Sequence, residues 1–193
     1  TDALLRLLKQ AKHSIDIQSP YLVTTELSRN AFKEAVLRGV KVRILTNSLA
    51  STDNLEAFSG YKRDRKKILE TGVRIFEFRP DASNRYKIMT GELQQTLNFA
   101  PIFGLHAKSM VIDGETAVVG TFNLDPRSAN LNTECITVIR SAKITALVQR
   151  QMEDDFLPEN AWETTLMFCP DKEASVKKQV GSSIRKVVPK GIL

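Results

Sequence analysis

Apolar and polar positions recur along this chain with two different periods, and the switches between them mark its elements. In "DALLRLLKQAK", residues 2–12, Leu4, Leu5, Leu8 and Ala11 share one helical face, with Asp2 near the positive N-terminal end. "IDIQSPYLV" reads as a strand that runs into a loop at Pro20. "ELSRNAFKEAVLRG" predicts a helix closed by Gly39, with Leu27, Ala31, Ala35 and Val36 turned inward. "VKVRILTN" alternates Val40, Val42 and Ile44 with charged or polar residues, so it predicts a strand with a buried face. A basic helical segment follows, ending at Gly72, and then the strand "VRIFEF". Strand and helix alternate with short links, which argues for right-handed crossovers and a largely parallel sheet.

From Arg79 to Phe103 the periodicity is lost, and this long irregular stretch is either a surface excursion or the rim of a site. Beyond it the pattern turns to strands. "HAKSMVID" and "TAVVGTFN" flank Asp113-Gly114, a tight-turn signal between antiparallel strands, and "ECITVIR" adds one more. "SAKITALVQRQMEDDFL" predicts an amphipathic helix with Ile144, Leu147, Val148 and Met152 inward. The sum is an α/β fold, a three-layer α/β/α sandwich with a mixed sheet, over residues 1–157. Residues 158–193 form a C-terminal extension.

Composition narrows the partners more than the chemistry. Apolar residues make up 42% of the 193, ordinary for a globular protein. Lys and Arg number 28 against 22 Asp and Glu, and the resulting +6 suits an anionic partner such as a phospholipid head group or nucleic acid. Cys135 and Cys169 form no CxxC pair, so they read as two thiols and not as a zinc site. No apolar run reaches the length of a membrane span. The start at Thr1, without Met, points to a fragment or a processed form.

The candidate chemistry lies in residues 106–134. On a strand, His106 and Lys108 project from one face, and Thr121 and Asn123 share a face of the returning strand. A hairpin brings these pairs together. Lysine offers a point positive charge and asparagine offers N–H donors, and together they hold phosphate oxygens. An imidazole, with an ordinary pKa of about 6.5, can attack phosphorus or move a proton near neutral pH. Asp113, at the turn, completes the candidate catalytic set as a brace. Glu134 is the candidate to accept a hydrogen bond from the second ring nitrogen of His106, as the acid of a catalytic triad does. Taken singly, each has a commonplace alternative: a His-x-Lys pair on an exposed strand, an aspartate that only forms a turn, an asparagine that only caps one.

In order, His106-x-Lys108-x4-Asp113 followed by Gly120-Thr121-x-Asn123 resembles the HKD motif of the phospholipase D superfamily. "GTFNLDPRSANLNTE" is similar to bacterial cardiolipin synthases, and "IDIQSPYLV", "RGVKVRILTNSLASTDN" and "ETGVRIFEFRP" resemble the second half of such a synthase. Thr121 stands where many members carry serine. The resemblance implies two motifs meeting at a pseudo-two-fold interface, a phosphohistidine intermediate, and no metal or cofactor. It makes the first-half histidine the nucleophile and His106 the general acid and base. Lys108, Thr121 and Asn123 then hold the phosphate. His13 has no lysine two residues on and is not the missing partner.

Three activities follow from that resemblance. The first is phosphatidyl transfer to an alcohol, giving cardiolipin or a similar lipid, with this chain as half of a two-motif enzyme. The second is a homodimeric phosphodiesterase built from two copies of His106, with nucleic acid a lesser candidate substrate. The third is a non-catalytic half that binds lipid head groups. The resemblance also implies peripheral association with a bacterial inner membrane. In "EASVKKQVGSSIRKVVPKGIL", Val176, Val180, Ile184 and Val187 recur at helical spacing beside Lys177, Lys178, Arg185 and Lys186. Such a stripe either lies on an anionic membrane or packs on the body, and the weak helix formers Gly181, Ser182 and Ser183 favour packing.

Overall fold

The computed structural model describes residues 2–84 and 104–185. Most of the irregular stretch before His106, together with Lys186 and Val187, lies outside the described residues. The chain begins with α1 (Asp2–Gln10), β1 (Ser14–Gln18), α2 (Glu26–Leu37), β2 (Lys41–Asn47), α3 (Leu55–Leu69) and β3 (Arg74–Phe78). A second run adds β4 (Ser109–Ile112), β5 (Thr116–Gly120), the short helix α4 (Pro126–Asn130), β6 (Ile136–Ile139) and α5 (Ala142–Asp155). The last elements are β7 (Ala161–Thr164), a 3-10 turn (Pro170–Glu173) and α6 (Val176–Ile184).

The strands form one mixed seven-stranded sheet in the order β6-β5-β4-β1-β2-β3-β7. β1, β2 and β3 run parallel, whereas β4 pairs antiparallel with β1 and β7 pairs antiparallel with β3. Period-two alternation divides the core into two layers. Ile15, Ile17, Val42, Ile44 and Ile75 face the helices α1, α2 and α3. Leu45, Phe76, Phe78 and Val111 face Met152 and Phe156 at the end of α5. The sheet is therefore sandwiched between helices, as expected.

Several expectations of side-chain direction need correction. Leu27 is 57% exposed, and on α5 Ile144 and Leu147 are also exposed. The buried positions of α5 are Thr145, Met152 and Asp155. Thr145 donates to the Glu115 carbonyl and Asp155 accepts from Gln18 Nε2, so polar contacts set the helix's rotation on the sheet. Both cysteines are free and exposed.

The segment after residue 157 contributes β7 to the sheet and is tied down by buried charge. Glu77, fully buried on β3, accepts from Tyr61 (2.8 Å) and Thr164 (2.9 Å), and Arg65 sits 3.3 Å away. Arg65 also donates to Asp171 at 2.8 Å, joining α3 to the 3-10 turn. Helix α6 docks on α3 by its polar side: Ser182 is buried and its carbonyl accepts from Ser59, while Arg185 pairs with Glu56. Val176, Val180 and Ile184 are left exposed, so the apolar stripe does not pack on the body.

One turn closes the β4–β5 hairpin and reaches back to β1. Asp113 and Gly114 both have positive φ, 55° and 68°, in the turn closed by the Glu115 N–H to the Ile112 carbonyl at 3.0 Å. That combination favours the Asp-Gly pair read in the sequence. The Asp113 carboxylate accepts from the backbone N–H groups of Lys12 (2.9 Å), His13 (2.7 Å) and Ser14 (2.9 Å), clasping the start of β1. Partial burial opposes its ionisation, but these three donors outweigh that and hold the carboxyl below the ordinary aspartate range.

Replacing Asp113 with Ala should cost about 2–3 kcal/mol, well below three times the worth of about 1.5–3 kcal/mol for one hydrogen bond to a charged group, because the site is half open to water. Asp113→Asn should cost less, since Asn tolerates the positive φ. Because the folded pKa is depressed, the clasp contributes fully above the unfolded value of about 3.9 and is lost as pH falls through the folded one. Urea titrations from pH 7 to pH 3 should show that acid limb weakened in Asp113→Asn.

Candidate active site

The crevice opens at the carboxyl ends of the parallel strands β1 and β2, the place where open α/β sheets present their ligand sites. Asn47, buried at the end of β2, donates from Nδ2 to the Leu105 carbonyl (2.9 Å) and accepts the Leu105 N–H (2.8 Å). This side chain copies a strand's pairing and fixes the backbone one residue before His106. A Cβ at Gly104 would stand 2.9 Å from the Ser51 carbonyl, so the close approach needs glycine there.

The ladder of β4 begins at Ser109, so His106 and Lys108 precede it and are not on the strand as the alternation suggested. His106 is exposed, and among the described residues its imidazole has no hydrogen-bond partner. Its carbonyl accepts from Lys108 Nζ at 2.9 Å. Lys108 is half-buried beside Ser19 and Gly120 in a cleft of about 330 Å3. Burial lowers the pKa of its ammonium below the ordinary lysine value, opposed by the carboxylates of Glu134, Asp53 and Asp125.

Across the cleft, Gly120 lets β5 and β6 close on each other, since a Cβ would meet the Cys135 carbonyl at 2.1 Å. The Thr121 N–H donates to that carbonyl (2.9 Å), and its hydroxyl accepts the Cys135 N–H (3.0 Å) while donating to Glu134. The other oxygen of Glu134 accepts from Asn132 at 3.1 Å. The Thr121 hydroxyl, helped by Asn132 and Lys108, holds Glu134 below the usual carboxylate range. Both oxygens of Glu134 are thus engaged by neighbours other than the His106 ring.

Asn123 has its Oδ1 buried without a partner among the described residues, an acceptor left open beside the cleft. Its position follows from the next two residues. Leu124 donates to Ser19 Oγ (3.0 Å) and accepts from the Val23 N–H (2.8 Å). Asp125 caps α4 through the Ser128 N–H at 2.6 Å, with Pro126 in the first turn. Asp113 is not part of this group. It stands five residues beyond Lys108, on the order of 17 Å along an extended chain, at the opposite end of β4.

Sequence reasoning missed four residues of the wall. Besides Asn47 these are Tyr21, Asp53 and Asp125. Tyr21 donates to Asp53 at 3.1 Å, and burial followed by the Asp53 charge pushes its phenol up to about 12. Burial raises the Asp125 carboxyl above the usual aspartate value, against the pull of Ser128. The Asp125-Pro126 pair is a helix-start signal that could have pointed to Asp125. Tyr21 and Asp53 carry no local signal beyond following strand ends. Chemically, the arrangement offers a cation for an anionic group, an exposed imidazole for proton transfer, and hydrogen-bonded acids around them.

Among known proteins, cardiolipin synthase C of Escherichia coli (strain K12) is 39% identical over 153 residues, covering 77% of this chain and 30% of that protein. Cardiolipin synthase A of Pseudomonas aeruginosa is 28% identical over 186 residues, covering 95% of this chain and 32% of the relative. The chain thus spans about a third of the length of these curated relatives. Of solved structures, phosphatidylserine synthase from Haemophilus influenzae Rd KW20 superposes with a TM-score of 0.63 at 15% identity, over 98% of this chain and 44% of that one. Nuc from Salmonella typhimurium, a phospholipase D family member, gives 0.58 at 18% identity, over 85% and 90%. At those identities the likeness speaks for the fold alone. Residues 4–156 match the family described as "Cardiolipin synthase, PLD-like domain", and with most of its length inside that match the chain belongs to this family.

Proposed function

We propose that the chain supplies one half of a phosphatidyltransferase site of the cardiolipin synthase type. The observation that carries this is the exposed His106 imidazole next to the half-buried Lys108, whose Nζ donates to the His106 carbonyl, with Asn47 holding the backbone at Leu105 just before them. The phosphate of a phospholipid binds at Lys108, with Thr121 and Asn123 beside it. A histidine from the other half attacks phosphorus and the bond to the leaving alcohol breaks. His106 gives its proton to the departing oxygen. It then takes a proton from the acceptor hydroxyl, whose oxygen attacks phosphorus as the bond to the nucleophilic histidine breaks. Glu134 orients His106 once substrate loosens its bond to Thr121.

A second reading is a phosphodiesterase made from two copies of this chain. It draws support from the single His106-x-Lys108 motif of the chain, which two copies would supply twice. Hydrolysis of a chromogenic diester across a range of protein concentrations separates the two. Specific activity that rises with concentration favours paired copies, whereas silence at every concentration favours a missing half.

Among the described residues no helix is long and apolar enough to cross a membrane. We infer peripheral contact through the exposed face of α6, with Lys177 beside Val176, Val180 and Ile184. Retention on anionic vesicles should fall several-fold in Val180→Asp/Ile184→Asp, and unchanged retention rules this face out.

In the assembled enzyme, His106→Ala should lower kcat/KM by about 10²–10⁴, the usual worth of general acid-base catalysis. Retained turnover excludes the role. Phosphate binding needs the charged Lys108, and burial lowers its pKa, so the alkaline limb of the pH-rate profile should lie below the ordinary lysine value of about 10.4. Lys108→Arg should move that limb upward.

A further inference from the structure

A second cavity adjoins the crevice on the α1–α2 side of the sheet. It encloses about 560 Å3, counting the part open to solvent, and Leu4, Leu27, Phe32, Phe122 and Leu124 line it. Leu4, Phe122 and Leu124 also line the cleft that holds Lys108, so the two spaces share a wall. Taken together the two adjoining spaces make a trench, with an ammonium group at one end and hydrocarbon at the other. Leu27, which helical periodicity turns inward, stands exposed at its outer lip.

The polar side chains that border the apolar end of the trench are already engaged. Thr24 accepts from Arg29 (3.0 Å), Thr25 and Ser28 close the capping box of α2, and Asp125 caps α4. An occupant therefore receives contact with methyl, methylene and ring surfaces but no hydrogen bonds. A polypeptide segment would leave its own N–H and C=O groups unmatched there, at a cost that a hydrocarbon chain does not carry. The chemistry that fits both ends of the trench is an amphiphile with an anionic head and an apolar tail.

We propose that this trench holds an acyl chain of the phospholipid whose phosphate sits at Lys108. The inference rests on the reading of Lys108 as the phosphate site, and the test separates the two. Titration calorimetry on the full chain would compare glycerophosphoglycerol, which has no acyl chain, with dibutanoyl- and dihexanoyl-phosphatidylglycerol below their micelle concentrations. Affinity should rise about threefold to fourfold for each methylene that enters the trench. Leu27→Asp, placed in the first turn of α2 where a carboxylate suits the helix end, should flatten that dependence. Leu27→Trp, which fills the trench, should flatten it too.

Binding of the head-only probe with no gain from chain length overturns the trench while leaving the phosphate site standing. A chain-length gain that persists in both Leu27 variants overturns it as well. If those variants instead dissociate a dimer seen by sedimentation, the trench is a protein interface. Should no probe bind, and Lys108→Met make no difference, the phosphate reading fails and the acyl-chain inference with it.

Discussion

The antiparallel pairing of β4 with β1 is the joint on which the rest of the structure hangs. It couples the parallel unit β1–β2–β3 to the hairpin unit β4–β5–β6, and among the described residues no other ladder connects these two units. Its register sets Ser109 opposite Gln18, so the residues before β4 emerge beside the ends of β1 and β2. A slip of one residue would turn Val111 away from the α5 layer and Met110 toward it, which both core layers oppose. Polar groups pin each end of the joint. Asp113 clasps the start of β1, and at the other end Ser109 donates to Gln18, which in turn donates to the buried Asp155.

Neutral polar side chains position the charged ones throughout the site. The Asn47 carboxamide fixes the approach to His106, the Ser19 hydroxyl holds Leu124 beside Asn123, and Thr121 sits between two strands and Glu134. Such groups lose little on burial when fully bonded and are hard to displace, because an unmatched partner left behind is costly. The groups they position stay partly hydrated: His106 is exposed, and Lys108 and Glu134 are half-buried. That division leaves the reactive groups free to exchange partners while their backbones stay fixed.

Much of the fold was legible because the patterns that encode it are local. Alternation in "VKVRILTN" marked Val42 and Ile44, both buried, and Asp113-Gly114 marked the hairpin that bears the motif. The match to residues 4–156 agrees with the family read from His106-x-Lys108 and its continuation. What stayed hidden depends on partners distant in sequence. Nothing near Leu105 announces that Asn47 will hold it. The four residues of β7 form too short a run to show a period, and they need β3 as a template. Leu27, Ile144 and Leu147 were misread because apolar spacing gives a helix's greasiest face, whereas α5 is rotated by the hydrogen bonds of Thr145 and Asp155.

The C-terminal helix reaches further than its place in the chain suggests. Lys178 on α6 donates to the carbonyls of Ala50 (2.7 Å) and Thr52 (2.8 Å), in the loop that delivers Asp53 to the wall of the crevice. The helix is short and carries Gly181, Ser182 and Ser183, so its own propensity to form is low and tertiary contacts sustain it. The buried loop thus lends its order to a helix that is weak by itself, and the two are coupled. By reciprocity, whatever binds the outward face of α6 also steadies the order of the loop, and whatever fills the crevice against Asp53 also holds the helix in place.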